Sequence, residues 1–427
     1  MLEKLYGLYR KIGLPVSTDS RNIIPGSIFF ALKGDNFDGN IYADDALAKG
    51  AALAVIDDVR FAGKNKFVTE NVLATLQQLA ANHRVHERFN VFALTGTNGK
   101  TTTKELIRLV LSQKYKCWAT KGNLNNHIGV PLTILSAPAG TEILIIEMGA
   151  NHIGEIALLC NIAQPDAGMI TNIGKAHLEG FGGFEGVIKA KSEMYSFLKS
   201  KNNKIIANYS DTILTDLLKG YENTEYYGNR QTNCYAKSLC FDGQLKAKIA
   251  INENCIDIQT QMFGRYNITN VLAAIKIGLL YNVDVVKMIS AIEAYTPENN
   301  RSQILETSKN TLILDSYNAN PSSMKLALES FAEIRSDNKI TILGEMKELG
   351  ESGLNEHSQL IEEAEKTQSA QNIFVGSGFL PFSHTLAYYF NDTDSLISYL
   401  IKENISGKLI FVKGSRANKL ETIVPYL

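Results

Sequence analysis

Short apolar runs alternate along most of the chain with stretches whose apolar residues recur three and four apart, the pattern of strands and helices taken in turn. In the first segment, residues 27–32 (SIFFAL) and 51–57 (AALAVID) are strand-like, residues 43–49 are helical, and residues 72–85 carry a helical pattern. A second segment opens with the run 91–94, then a helical pattern at 104–111. Two further buried strands follow at 143–150 (ILIIEMGA) and 167–174 (AGMITNIG). Between 221 and 262 the period changes to two, and QLKAKIAIN and CIDIQTQM are expected as antiparallel strands added to the parallel sheet. The last segment alternates again: strands at 311–315, 339–343, 372–376 and 408–412, helices at 322–334 and 355–367.

At 427 residues the chain exceeds one ordinary core. The expectation is an α/β protein of three domains: a small α/β domain at 1–86, a central parallel-sheet domain at 87–297 and a compact Rossmann-like domain at 298–427.

The chemistry concentrates in one stretch, VFALTGTNGKTTT at 91–103. An apolar strand runs into Gly96, Thr97, Asn98 and Gly99, then Lys100, Thr101 and Thr102 at the start of a helical pattern. Glycines let backbone N–H groups close around an anion, the helix offers its unpaired first donors, and Lys100 adds a positive charge. Leu94 stands where the strict GxxxxGK[ST] pattern has its first glycine. Nucleoside triphosphate binding is the expectation, with Thr101 on Mg²⁺; the alternative is an ordinary glycine-rich turn.

Other polar stretches fall after strands, on the edge where α/β folds gather ligands. Glu147 ends a buried strand and suits a metal ligand; His177 lies in a glycine-rich loop after the next. Asn123, Asn125 and Asn126 sit in a loop too polar for a core. Lys189 and Lys191 lie on an amphipathic helical pattern, where a solvated face is the plain expectation. Asn267 and Asn270 open a helix, either capping it or meeting a base. DSYNANP (315–321), GEMKELG (344–350) and KGSR (413–416) each follow a strand. In the first segment TDSR (18–21) and KGDNFDG (33–39) are turn-rich, able to receive a ligand or simply to cap and turn.

Charge narrows the partners. Lys and Arg (43) nearly balance Asp and Glu (44), so no overall field favours nucleic acid or anionic lipid. Five cysteines without metal spacing point to a reduced compartment, and the charges in MLEKLYGLYRKIG break any signal-type run. A cytoplasmic, monomeric protein without a membrane span is expected.

Taken together, TGTNGKTTT, GNLNNHIGVP, IEMGA, TNIGKAHLEGFG, AKSEM, DSYNANP, GEMKELG and VKGSR, in this order, resemble the Mur ligases of peptidoglycan synthesis. TDSR with PGSIFFALKGDNFDG resembles their N-terminal UDP-binding domain. Within the family, DSYNANP and GNLNNHIG are similar to the member that joins D-Ala-D-Ala to UDP-MurNAc-tripeptide. The resemblance implies ATP and Mg²⁺ as cofactors and an acyl-phosphate route to an amide. It implies that Gly96 to Thr102 hold the phosphates, that Thr101 and Glu147 bind one Mg²⁺, and that His177 and a carbamylated Lys191 bind a second. Lys100, Lys191, His177 and Glu147 are then the catalytic set. Asn267, Asn270, Arg301 and Asp315 would contact the nucleotide; Asp19, Ser20, Arg21, Asn123, Asn125, Asn126, Asn318, Lys413, Ser415 and Arg416 would face the substrates. Tyr266, Glu345 and Ser316 depart from the family pattern. The alternatives are the preceding ligase of the series, whose DNPR-like motif is absent from this sequence, and a non-catalytic UDP-muramyl-peptide binder. Because nucleotide contacts fall in two segments, closure between domains is expected on binding.

Overall fold

The computed structural model describes residues 2–12 and 15–427. Three parallel-stranded α/β units follow one another. The first carries a four-stranded parallel sheet in the spatial order Val16–Ser17, Ile28–Phe30, Leu53–Ile56, Lys66–Val68. A long helix, Val72–Glu87, then turns Val72, Leu76, Leu79, Ala80 and His83 inward. Its buried face joins the N-terminal helix Leu2–Ile12 to the central unit in one continuous core, so the first two units are welded by apolar packing. His83 sits between Tyr6 and Tyr9, and the Tyr9 hydroxyl donates to the Leu135 carbonyl at 2.7 Å.

The central sheet has six parallel strands in the order Thr224–Tyr227, Lys204–Asn208, Ala167–Ile170, Asn90–Thr95, Ile143–Glu147, Cys117–Ala119. Strands buried on both faces need continuous apolar runs, and Val91 to Leu94 and Ile143 to Ile146 supply them. Asn90–Thr95 lies between the two strands that carry Glu147 and the loop to His177. That arrangement opens a crevice at its carboxyl end. The helix after it begins at Lys100, four residues earlier than its apolar periodicity indicates, because Gly99 in a left-handed conformation (φ 75°) starts it and the β-branched threonines mask its beginning.

The strands expected to extend this sheet do not. Leu245–Ile251 and Asn254–Gln259 pair instead with Cys234–Phe241 in a separate antiparallel sheet. Leu245, Ala247, Ile249 and Ile251 face helix Ile268–Leu280, which gives their alternating pattern a core of its own. The C-terminal unit has the order Gln303–Glu306, Thr311–Leu314, Leu409–Lys413, Lys339–Gly344, Gln371–Val375, Tyr388–Phe390, with only the first strand antiparallel. Apolar clusters cover both its faces. Among the described residues no helix is long and apolar enough to cross a membrane.

Gly129 fixes the asparagine loop against this frame. A Cβ there would overlap the backbone of Leu124, 2.6 Å from its carbonyl oxygen. Gly129→Ala should therefore destabilise the chain by about 1–3 kcal/mol and displace residues 123–126, read as a lowered midpoint in thermal unfolding.

Candidate active site

The loop after Asn90–Thr95 is tied down on both sides. Thr95 donates its hydroxyl to the Met148 carbonyl at 2.7 Å. Gly96 (φ 144°) passes so close to Thr171 that a Cβ would collide with its hydroxyl. A Cβ on Gly99 would stand 2.7 Å from Asn270 Oδ1. Thr97 N–H donates to the Asn172 carbonyl at 2.9 Å, Asn98 N–H to Asn172 Oδ1 at 3.0 Å, and the Thr171 hydroxyl to the Asn98 carbonyl at 2.7 Å. Lys100 Nζ donates to the carbonyls of Gly96 and Thr97 at 2.8 and 3.0 Å. Burial pulls the Lys100 ammonium below its ordinary pKa; Glu147 opposes that and Arg301 adds to it.

This loop forms the floor of a cleft of about 460 Å³ between the central and C-terminal units. Glu147 enters from the next strand and is almost fully buried. Asn125 Nδ2 donates to Glu147 Oε1 at 2.9 Å, whereas Oε2 is buried with no hydrogen-bond partner. A buried, unpartnered carboxylate oxygen is costly, by roughly 1–3 kcal/mol or more. Facing a hydroxyl and an imidazole across a polar cleft, it fits a hard divalent cation. Thr101 and His177 line the same cleft. The imidazole Nδ1 of His177 pairs with Glu348 of the C-terminal unit, and burial lowers the ring's pKa.

Lys189 is exposed, as a solvated helix face implies, but Lys191 is 3 % exposed. Its ammonium lies 5.4 Å from the centre of the Phe181 ring. Burial first, and the charge of Lys100 second, bring its pKa down to about 7. Much of this lysine is therefore a neutral amine near neutral pH. Among the described residues no group of three or more His, Cys, Asp or Glu stands close enough together to hold a metal ion by itself.

The opposite wall comes from the C-terminal unit. The Arg301 guanidinium stacks 3.5 Å over the Tyr317 ring, and Arg416 Nη1 donates to the Tyr317 hydroxyl at 3.2 Å. Lys413 is buried in an ion pair with Asp315, whose Oδ1 accepts the Ser302 N–H at 3.0 Å. Asn267 and Asn270 do not cap their helix. Asn270 Nδ2 donates to Asn267 Oδ1 at 2.7 Å, and Asn267 Nδ2 to the Phe263 carbonyl at 2.7 Å and to Ser302 Oγ at 3.2 Å. Tyr266, one of the departures, bonds Ser302 at 2.9 Å and lines the cleft beside them.

Of the residues singled out in the sequence, Thr97 to Thr102, Asn123, Asn125, Asn126, Glu147, His177, Asn267, Asn270, Arg301, Asp315, Asn318 and Lys413 line this cleft. Gly96, Lys191, Ser415 and Arg416 are not among its lining residues; Ser415 is buried, its hydroxyl donating to Asn418 Oδ1 at 2.7 Å. Asn126 Oδ1 accepts the Gly129 N–H at 2.9 Å and so holds the following helix. Asp19, Ser20 and Arg21 lie outside the cleft, in the N-terminal unit; Arg21 forks onto Asp19 at 2.8 and 2.9 Å and holds its carboxyl at a pKa of about 2. Glu345 is turned away from the cleft, accepting the Gly378 N–H at 2.8 Å. Ser316 Oγ is buried without a partner. Sequence reasoning missed Tyr317 and Asn320, although both stand inside DSYNANP, and Asn151 and Glu155, which follow the Glu147 strand and carry no periodic signal. Asn320 Nδ2 donates to Asn98 Oδ1 at 2.8 Å, joining the C-terminal unit to the phosphate loop.

Comparison with known proteins gives one result from end to end. The Mur ligase family catalytic domain matches residues 15–86, the Mur ligase middle domain 94–278, and the Mur ligase glutamate ligase domain 300–416. UDP-N-acetylmuramoyl-tripeptide--D-alanyl-D-alanine ligase of Bacillus subtilis (strain 168) is 34% identical, over 96% of this chain and 92% of its own. The protein of that name from Escherichia coli (strain K12) is 32% identical over the same shares. The crystal structure of MurF from Acinetobacter baumannii superposes with a TM-score of 0.88 at 28% identity, covering 96% of this chain and 92% of that one. MurF ligase from Thermotoga maritima in complex with ADP superposes with a TM-score of 0.82 at 27% identity, covering 97% of each chain. With three domain matches in order and relatives similar over nearly its full length, this chain belongs to the Mur ligase family.

Proposed function

We propose that the chain is an ATP-dependent amide ligase that joins D-Ala-D-Ala to UDP-MurNAc-tripeptide in the cytoplasm, giving UDP-MurNAc-pentapeptide, ADP and phosphate. The observation that carries this is the convergence, at one strand edge, of the Lys100 loop, the unpartnered oxygen of Glu147 and His177, faced by Arg301 and Asp315. The names of the relatives support the choice of substrates. We place the domain boundaries at 1–86, 87–297 and 298–427, with UDP held by the first domain near Asp19, Ser20 and Arg21.

The chemical logic follows from the poor electrophilicity of a carboxylate. The terminal carboxylate of the tripeptide takes the γ-phosphoryl group of ATP and releases ADP; the dipeptide amine attacks the acyl carbon; the tetrahedral adduct expels phosphate, and the amine proton is lost. Lys100 and the backbone N–H groups from Gly99 to Thr102 would hold the phosphates, while Thr97 and Asn98, their N–H groups bonded to Asn172, shape the loop around them. Thr101 and Glu147 would hold one Mg²⁺, and His177 with carbamylated Lys191 a second; bound there, the ions supply charge stabilisation to the transferring phosphoryl oxygens. Asn125 orients Glu147 by occupying Oε1. Arg301 and Asp315 close the site from the C-terminal domain, keeping water from the acyl phosphate. Asn270, packed against Gly99 and held by Asn267, shapes the nucleotide side.

The deciding experiment is phosphate release from ATP and Mg²⁺ with UDP-MurNAc-tripeptide, with and without D-Ala-D-Ala, with the product mass determined. Release that needs both substrates, and a product heavier by one dipeptide less water, is expected. Growth of the dipeptide precursor by one amino acid would move the assignment to the preceding ligase, and binding without turnover would favour a non-catalytic binder.

The Lys191 pKa of about 7 gives this reading a pH signature. Only the neutral amine adds CO₂, so carbamate should form above pH 7 and disappear as pH falls through 7 toward 6. Expected is a ¹³C-carbonyl resonance with labelled bicarbonate at pH 8 that is lost at pH 6 and in Lys191→Arg, together with a fall in kcat of about 10²-fold or more in that variant. An unchanged kcat in Lys191→Arg would remove the lysine from the mechanism.

A further inference from the structure

His177 and Glu348 face each other across the boundary between the central and C-terminal units. Both are non-glycine residues at positive φ, 51° and 61°. Such backbone strain is held in place only where the surroundings over-determine it, and it gathers at functional sites. Here two strained residues from different units meet side chain to side chain, through Nδ1 of His177 and the carboxylate of Glu348. The backbone reinforces the meeting, since Glu179 N–H donates to the Glu348 carbonyl at 3.4 Å. Leu349 beside it is buried among the apolar residues of the C-terminal core, which fixes the loop from behind. Among the described residues Nε2 of His177 has no hydrogen-bond partner, and the ring lines the cleft that holds Glu147. The Lys100 and Lys191 charges both act on the ring.

We propose that Glu348 is a positioning residue: it holds Nδ1 of His177, fixes the tautomer that leaves Nε2 bare toward the cleft, and thereby makes the second cation site complete only when the C-terminal domain is docked. A carboxylate on the far nitrogen of a ligating imidazole orients the ring and raises its basicity. In this chain that carboxylate belongs to another domain, so the geometry of the metal site depends on domain closure. An open enzyme would hold its first cation through Thr101 and Glu147 and bind the second weakly, keeping phosphoryl transfer from starting before the acceptor cleft is shut. The inference rests on His177 being a cation ligand, as proposed above.

The test is Mn²⁺ titration of the full chain, followed by electron paramagnetic resonance, with a saturating non-hydrolysable ATP analogue and bicarbonate. Glu348→Ala should weaken the second Mn²⁺ site about 10–100-fold and leave the first unchanged, whereas Glu348→Gln, whose amide oxygen still accepts from Nδ1–H, should lie between Glu348→Ala and the unaltered chain. The side chain of Glu348 is 52% exposed, so neither variant opens a cavity. His177→Ala separates the two claims. If it too leaves the second site intact, or the unaltered chain binds one Mn²⁺ only, the ligand assignment fails and the inference with it. If His177→Ala abolishes the second site while Glu348→Ala does not, the inference alone fails. Scattering that shows domain opening in Glu348→Ala with second-site affinity intact would make the contact a clasp and overturn the positioning role.

Discussion

The geometry of this protein depends on one steric constraint: the chain must leave the strand Asn90–Thr95 and begin a helix within five residues, in a space bounded by Thr171 on one side and Asn270 on the other. Gly96 and Gly99 are the residues that can do so, because each sits at positive φ and each lacks room for a Cβ. The hydrogen bonds to Asn172 then hold the loop open-handed, with the helix N-terminus and Lys100 turned to the cleft. Because that strand is central in its sheet, the neighbours on either side place Glu147 and the His177 loop beside the phosphate loop without any further device.

The C-terminal domain meets the cleft side of that platform through polar contacts, while Phe263 of the central domain is buried in its apolar core, 5.5 Å from the Phe411 ring. Asn320 meets Asn98 on the phosphate loop itself, Ser322 accepts the Lys175 N–H at 3.0 Å, Lys175 pairs with Glu356 at 2.8 Å, and Glu348 meets His177. Single hydrogen bonds of this kind are each worth about 1 kcal/mol, so the cleft side of the boundary is held less tightly than the packed Phe263 joint. The N-terminal domain is attached through a larger shared apolar core, which its long helix builds with the central domain. The cleft lies along the polar part of the boundary with the C-terminal domain.

Much of this was legible in the sequence because it rests on local rules. Buried parallel strands announce themselves as unbroken apolar runs, and the phosphate loop by glycines and a lysine at fixed spacing; both fell where expected. The antiparallel sheet was misplaced because alternation tells which face of a strand is buried and not which sheet receives it. Lys189 and Lys191 look alike in sequence, two cations on one amphipathic helix, and only packing against Phe181 separates an exposed ammonium from a buried amine. Glu348 was illegible for a related reason. It stood within a loop already noticed, but its partner is 171 residues away and in another domain.

The cleft is also an electrostatic argument for an anionic ligand. Lys100 and Lys191 are both depressed below their ordinary pKa, first by burial, and each cation is felt by others: Arg301 by Lys100, Lys100 by Lys191. Against them stands Glu147, with one oxygen taken by Asn125 and the other unpartnered. A site so arranged is strained in its charges, since a buried cation without a paired anion, as Lys100 is, carries a desolvation cost of several kcal/mol. On the function proposed above, a polyphosphate with a divalent cation would relieve both sides at once, its oxygens meeting Lys100 and Arg301 and its metal meeting Glu147. The same relief would favour a closed form over an open one, because Arg301 reaches the cleft from the C-terminal domain. On that reading, ligand binding and domain closure would be two expressions of one charge distribution, written across a boundary that the ligand would bridge.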